Sequence, residues 1–448
     1  MEFKTREKSV ESKEMIDLCK QHTMYTWAKG DAVDPIPVER AEGVYMYTPD
    51  GQRILDFNSQ LMCVNIGHGH PKVIEAIKKQ LEQLVYVYPG TATAVRARTA
   101  KLLSEIVPGD INTFFFTSGG AEANENAIKI ARQYTGRHKI LSRYRSYHGA
   151  TEACMQLTGD PRRWANEPGG PGYIKVMDPR PYTYSFGETD EEKTAENLKY
   201  LEEVIMYEGP HTIAAMFVET VTGTNGVQPP PAGYLKGLKA LLEKYGILLV
   251  CDEVMAGFGR TGKMFAFEHY DFVPDILTMA KGLNSSYIPL GAVGMSDKLA
   301  AHFQENVFWG GLTYNSHCVG LAAAEATIHV MRDEGLVENA AKLQHVMRSE
   351  MDRLQAKHPS FKEGRALGLF GMVDLQKNSK GEPMAPYNGA HPAMNELGKF
   401  FRDNGLFTFV RWGSFMCNPP LCITEEQLKE GFEIIDRGLE ITDRAFEG

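Results

Sequence analysis

Three short apolar runs in this chain each end at a charged residue: IAAMFVE at Glu219, ILLVCD at Asp252 and DILTMAK at Lys281. Asp252 follows Glu219 by 33 residues and Lys281 follows Asp252 by 29, each close to the roughly 30 residues of one strand–helix–strand unit. Runs that are apolar throughout, rather than alternating, predict strands buried on both faces, as in a parallel sheet covered by helices. A further run at 113–116 and amphipathic stretches such as 71–84 extend the same pattern. The fold class is therefore α/β, with a mostly parallel central sheet flanked by helices. Open sheets of this kind hold ligands beyond the carboxyl ends of their strands, so Glu219, Asp252 and Lys281 are expected to converge. A lysine beside two carboxylates there has two readings, a structural ion pair or an amine that forms a Schiff base with a bound carbonyl cofactor. Position alone favours neither.

The chain's 448 residues suffice for two or three domains. Residues 1–70 read as an N-terminal segment that joins a small domain, 71–325 as a large ligand-binding domain, and 326–448 as a C-terminal small α+β domain. Helical periodicity marks the first twenty residues, and the runs at 44–47 and 53–57 flank a Pro49-Asp50-Gly51 turn, which predicts a hairpin. Lys and Arg number 48 against 57 Asp and Glu, a net charge of −9. That balance offers no footprint for a nucleic acid backbone. The seven cysteines are scattered, with no CxxC pair and no zinc-ligand spacing, so no metal and a reduced, cytoplasmic setting are expected. The stretch 1–21 lacks an apolar signal core and is too acidic for a transit peptide. No apolar run approaches the roughly 20 residues that span a bilayer, and no membrane partner is expected.

Several motifs carry candidate chemistry. In Phe116-Thr117-Ser118-Gly119-Gly120-Ala121-Glu122 an apolar run feeds a glycine pair and then a helix over 122–134. Such a turn either cradles a phosphate with its backbone N–H groups or simply links strand to helix. Tyr147-His148-Gly149 follows another run and offers an aromatic ring to stack on a flat ligand or to pack the rim. Gly257-Phe258-Gly259-Arg260-Thr261-Gly262 matches the dinucleotide fingerprint, but no convincing helix opens after it and no acid stands about 20 residues on. As a P-loop it fails at Met264, where a Ser or Thr is needed. His68 and His70 lack a third ligand at a diagnostic spacing, and a turn is the better reading.

Taken together, these segments resemble the class III pyridoxal-phosphate aminotransferases, the ω-aminotransferase group of fold type I. The resemblance rests on Ser118 to Asn124, Tyr147-His148-Gly149, Glu219-Thr220, Asp252-Glu253-Val254 through Gly262, Ala280-Lys281-Gly282, Gly311-Leu312-Thr313-Tyr314 and Pro419-Pro420-Leu421, in family order. It implies pyridoxal 5'-phosphate as cofactor, bound covalently by Lys281, which then shuttles a proton. Asp252 would pair with the pyridinium nitrogen, Tyr147 and Val254 would cover the two ring faces, and Gly119, Gly120 and Ala121 would hold the phosphate. The resemblance also places His148 among the cofactor contacts and Glu219 near the cofactor hydroxyl and substrate amine. Thr313 resembles a threonine that reaches the phosphate of a neighbouring subunit, which implies a homodimer with sites at the interface, or two such dimers joined.

Arg411 stands where the family carries a mobile arginine for the substrate carboxylate. Arginine suits a carboxylate or a sulfonate equally. Family members with a γ-aminobutyrate type of pocket often carry Arg directly after the YHG motif, where this chain has Ala150. Arg162 or Arg163 is the nearest substitute for a second acidic group, with Arg163 assigned to a distal carboxylate or a solvated surface pair as the competing reading. Segments around Trp27 and Met62 are similar to the taurine aminotransferases, so these two residues would wall the donor pocket. The implied reaction moves an amino group from taurine, or else β-alanine or γ-aminobutyrate, to 2-oxoglutarate or pyruvate. A decarboxylating transaminase, an aminomutase and a nicotinamide-dependent dehydrogenase are the competing readings.

Overall fold

The computed structural model describes residues 10–448. The helix expected at the start runs Val10–His22, and the part of that expectation covering residues 1–9 lies outside the described residues. The chain divides into two compact units, a larger one of residues 71–344 with 366–370, and a smaller one that takes in residues up to 70 together with 345–365 and 371–448.

The larger unit is built on a seven-stranded sheet. In spatial order its strands are Ile111–Thr117, Gly291–Ser296, Ile276–Met279, Leu248–Asp252, Ile213–Glu219, Lys139–Arg143 and Tyr173–Val176. Gly291–Ser296 is antiparallel to both neighbours, while the pairs from Ile276–Met279 to Tyr173–Val176 are parallel. Every residue of Ile213–Glu219, Leu248–Asp252 and Ile276–Met279 is buried. That is why these strands read as continuous apolar runs rather than alternating ones. Helix Gly120–Thr135 lays Ala123, Ala127, Ile130 and Ala131 in the same core cluster as Phe217, Val250, Ile276 and Val293 of the sheet. It ends at Gly136, whose φ of +67° provides the left-handed cap and whose N–H returns to the Arg132 carbonyl.

The larger unit extends past residue 325, where the succession of helix and strand segments along the sequence places a boundary. Position 325 falls inside helix Cys318–Asp333, which packs on helices Pro71–Gln83 and Ala94–Ile106 and buries Leu321, Ala323, Ile328 and Met331. Its apolar face decides the allegiance of the segment, and no shift of composition marks where that face ends.

In the smaller unit one four-stranded sheet joins Arg40–Glu42, Tyr45–Tyr47, Arg53–Asp56 and Leu406–Phe407. Its hairpin is the one the Pro-Asp-Gly turn predicts: Tyr47 pairs with Arg53, and Gly51 adopts φ +74° with its N–H on the Thr48 carbonyl. A second sheet carries Phe370–Leu375, Ser414–Cys417 and Val410–Arg411. Helices Pro392–Asp403 and Glu425–Arg444 pack on one another, with Gly438 allowing the close approach of Phe401 and Leu397. No helix among the described residues is long and apolar enough to cross a membrane.

A charged cluster ties the last helix down. His358 is buried with Nδ1 2.6 Å from Asp443 Oδ2 and Nε2 2.9 Å from Asp436 Oδ1, and Asp436 also takes Lys357 and Arg353. Burial by itself would raise the Asp436 carboxyl, but the hydrogen bonds from Lys357, Arg353 and His358 outweigh it and hold the group well below the usual carboxylate range. A depressed folded-state pKa contributes stability above the unfolded value, about 3.9, and loses it as the pH falls through the folded one. Asp436→Asn is therefore expected to lower Tm most at neutral pH, with the gap from the parent narrowing below about pH 4. Thermal melts of both proteins between pH 7 and pH 3 measure this.

Candidate active site

Parallel pairing places the chemistry at one edge of the large sheet. Glu219 lies directly opposite Asp252, and Asp252 opposite Thr278, so adjacent strands end together as the 33- and 29-residue spacings predict. Lys281 is the third residue beyond Thr278 and opens a short 3-10 turn, Lys281–Leu283. Its backbone sits at φ +43°, and Ser285 and Ser286 are also left-handed. Such conformations cost about 1–3 kcal/mol each for residues other than glycine. They are held by the Leu283 N–H on the Ala280 carbonyl, the Ser286 N–H on the Lys281 carbonyl, and the Asn284 amide, which donates to the Ile288 carbonyl at 2.6 Å.

Asp252 is 5% exposed and its two oxygens accept three hydrogen bonds. Oδ2 receives the Asn124 side-chain amide at 2.8 Å and His148 Nδ1 at 2.8 Å, and Oδ1 receives the Val254 N–H at 3.0 Å. Asn124 donates as well to the His148 carbonyl at 2.7 Å and accepts the Thr278 hydroxyl at 2.8 Å. A donor set of this kind fixes the direction in which a buried carboxylate points. Glu219 is equally buried: Oε1 accepts the Tyr147 N–H at 2.9 Å and Oε2 the Gly223 N–H at 2.7 Å. Burial pushes its carboxyl up, the nearby His148 lowers it in part, and the Asp252 charge raises it again. Beneath the pair, the buried Arg143 guanidinium donates to the Glu219 carbonyl.

The glycines around this edge mark close approach. A Cβ on Gly120 would stand 2.9 Å from both Val254 methyls, and one on Gly149, at φ +133°, would stand 2.7 Å from the Ala121 Cβ. At Gly119, by contrast, an added Cβ meets nothing within 4 Å. Open space thus adjoins the start of helix Gly120–Thr135, where first-turn N–H groups have no partner within the helix. The structure therefore brings Gly119, Gly120, Ala121, Tyr147, His148, Glu219, Asp252, Val254 and Lys281 to the same strand-end region. The Tyr147 ring is half-buried, and the Arg162 guanidinium lies over it with Cζ 3.5 Å from the ring centroid.

The remaining candidates lie elsewhere or are otherwise engaged. Arg163 pairs with Glu167 one helical turn on and donates to the Gly159 carbonyl. Thr313 is exposed, its carbonyl accepting the Tyr86 hydroxyl at 2.8 Å. Trp27, Met62 and Arg411 belong to the smaller unit. There Trp27 is exposed, Met62 is buried, and Arg411 lies over the Trp412 ring at 4.3 Å. The glycine motif at 257–262 forms no nucleotide turn. Arg260 is fully buried and donates to the Leu369 carbonyl, while a Cβ on Gly262 would meet the Ala341 backbone at 3.0 Å. Its glycines serve packing within the larger unit. His68 pairs with Asp56, and no group of three or more potential metal ligands occurs among the described residues.

Asn124, Thr278 and Arg143 had been given no role from sequence. Asn124 lies one helical turn from Gly120, and Thr278 is the lone polar residue in an otherwise apolar strand, so both left a trace. Arg143 left none beyond being a charge at the end of a buried strand.

The family model for class-III aminotransferases matches residues 26–439. An uncharacterized aminotransferase of Bacillus subtilis, YhxA, is 34% identical over 90% of this chain and 93% of its own. The mitochondrial gamma aminobutyrate transaminase 1 of Solanum lycopersicum is 32% identical over 94% of this chain and 84% of its own. Among solved structures, the taurine:2-oxoglutarate aminotransferase from Bifidobacterium kashiwanohense, in complex with PLP and glutamate, superposes with a TM-score of 0.94 at 38% identity. That match covers 98% of this chain and all of the other.

Asn124 offers a direct test of the carboxylate network. Asn124→Ala removes a donor from Asp252 and from the His148 carbonyl, with an expected loss of about 1–3 kcal/mol in urea unfolding. Asn124→Asp sets a second carboxyl against Asp252, which raises the folded-state pKa of the new group. Stability is then lost as pH rises, so this variant is expected to fall further behind the parent at pH 8 than at pH 5.

Proposed function

Because the chain belongs to the class-III aminotransferases and uses pyridoxal phosphate as its cofactor, we propose that it moves the amino group of an ω-amino acid or aminosulfonate, taurine favoured, to 2-oxoglutarate or pyruvate in a ping-pong cycle. The observation that carries this reading is the buried Asp252 carboxylate, braced by Asn124, His148 and the Val254 N–H, at the same sheet edge as Lys281. When bound, pyridoxal phosphate supplies a carbonyl for an amine and a ring that takes up the electron pair released at the substrate carbon.

The residues fit that cofactor. Asp252, whose oxygens are aimed by three donors, would pair with the cofactor's ring nitrogen. Open space at Gly119 and the amides of Gly120 and Ala121 suit a phosphate at a helix start. Val254, in contact range of Gly120, and Tyr147 offer the two faces between which a flat ring is gripped. Lys281 would hold the cofactor through Nζ and would serve as the general base and acid for the substrate proton. Glu219 orients Tyr147 through its backbone N–H and stands ready for the cofactor hydroxyl and the substrate amine.

The donor side rests on likeness. Taurine is favoured because Trp27, Met62 and their neighbours resemble taurine enzymes and because the Bifidobacterium neighbour is one. Arg162 and Arg163 pair with the in-chain carboxylates Asp160 and Glu167, and Arg411 is assigned to the substrate's acid on its likeness to the family's arginine alone. Thr313 is assigned to the phosphate of a second copy. Tyr88, Val307, Trp309 and Tyr314 are exposed apolar side chains of the kind a homodimer interface would cover. No disulfide joins the cysteines of the described residues, which supports a reduced, cytoplasmic setting.

The test is a visible absorption titration of the purified protein with taurine, β-alanine and γ-aminobutyrate, then with each keto acid. A cofactor band bleached by taurine and restored by one acceptor is expected; no response to any donor overturns the proposal. Lys281→Ala is expected to cut turnover by at least about 10²- to 10⁴-fold while far-UV circular dichroism stays that of the parent. Asp252→Ala is expected to weaken cofactor binding and slow turnover together, as read by equilibrium dialysis and steady-state rates.

A further inference from the structure

Arg162 sits in the short 3-10 helix Pro161–Asn166, whose N-cap is the fully buried Asp160. The Asp160 carboxylate accepts Arg162 Nε at 3.0 Å on each oxygen, the Arg162 backbone N–H at 3.0 Å, and the Asn225 side-chain amide at 3.2 Å. Arg162 Nη2 adds a second bond to Asp160 and one to the Thr224 hydroxyl at 3.0 Å. A planar cation bound side-on to an immobile carboxylate has little freedom left. Its Cζ lies over the Tyr147 ring, 3.5 Å from the centroid, which is within van der Waals contact of the ring face. Tyr147 is meanwhile pinned at its backbone N–H by Glu219.

We propose that Arg162 is a positioning residue that presses the Tyr147 ring from behind, so that guanidinium, phenol and cofactor ring form one stack. The inference rests on the reading of Tyr147 as a cover for the cofactor. One face of the phenol is taken by Arg162, which leaves the other as the ligand face. Because the Arg162 charge is matched by Asp160, its effect on Tyr147 comes from the flat contact and its fixed pitch rather than from a net field. Lysine at 162 would keep a cation for the buried Asp160 but lose the plane. That substitution therefore separates stacking from charge.

The experiment compares the parent holoenzyme with R162K, R162A, Y147A and the double variant R162K/Y147A. Cofactor affinity is measured by equilibrium dialysis, the visible circular dichroism of the bound cofactor reports its pitch, and the Tm of the cofactor-free proteins reports folding. R162K is expected to weaken cofactor binding about three- to tenfold and to shrink the visible dichroism, at an unchanged cofactor-free Tm. In the Y147A background the same change is expected to add nothing, because the ring it acts through is gone. If R162A does not fold for want of a partner to Asp160, R162K decides the matter alone. Parent-like affinity and dichroism in R162K overturn the inference, as does a loss that adds fully to that of Y147A. A Y147A protein that binds the cofactor as the parent does overturns the placement of Tyr147 and this inference with it. Weakened Y147A beside unchanged R162K overturns the inference alone.

Discussion

A charged carboxylate buried at the end of a parallel strand is the constraint on which the rest of this structure depends. Removing an ion such as Asp252 from water costs several kcal/mol even after the protein relaxes, and that cost is offset only by donors arranged around it. Here the donors come from three different places: Asn124 on a helix, His148 on the loop after strand Lys139–Arg143, two strands away, and the Val254 N–H just beyond the end of Asp252's own strand. Each must arrive in register, so helix Gly120–Thr135, the Tyr147–Gly149 loop and the strands ending at Glu219 and Met279 are held to one geometry. The sheet's parallel order makes that possible, since it brings successive strand ends to a common edge.

Close approach does the rest. Gly120 beneath Val254 and Gly149 beside Ala121 permit contacts that a single extra carbon would block, whereas Gly119 faces open space. The left-handed backbone at Lys281, Ser285 and Ser286 concentrates strain in the turn that carries Lys281. The glycines at 257–262 show how little the letters of a motif say by themselves. They spell a dinucleotide turn, yet Arg260 is sealed in the interior and Gly262 lies against Ala341. The absence of a following helix, visible in the sequence, already disqualified them.

Most of the frame was legible because it follows from periodicity. Apolar runs without alternation announced a sheet buried on both faces, and two spacings near thirty residues announced that Glu219, Asp252 and Lys281 would end adjacent strands. The Pro-Asp-Gly turn announced its hairpin. The extent of the larger unit was less legible, because helix Cys318–Asp333 owes its place to the helices under it rather than to any local signal. Least legible were contacts between polar side chains remote in sequence. Asn124 and Thr278 left a faint trace as polar residues in apolar surroundings. Arg143 reaching the Glu219 carbonyl left none, nor did Arg162 lying on Tyr147.

The sequence by itself determined the buried sheet and the convergence of its strands' charged ends, because strand period and chain spacing are local properties, while the link to pyridoxal phosphate came from the family resemblance of its motifs. Only the tertiary structure decided which of two adjacent arginines faces the tyrosine. Arg162 turns inward because the buried Asp160 takes its guanidinium, and Arg163 turns to Glu167 because that carboxylate is one helical turn away. Two identical side chains one position apart are indistinguishable as letters. They are told apart by the partner that offsets the cost of burying each charge, and that partner exists only once the chain has folded.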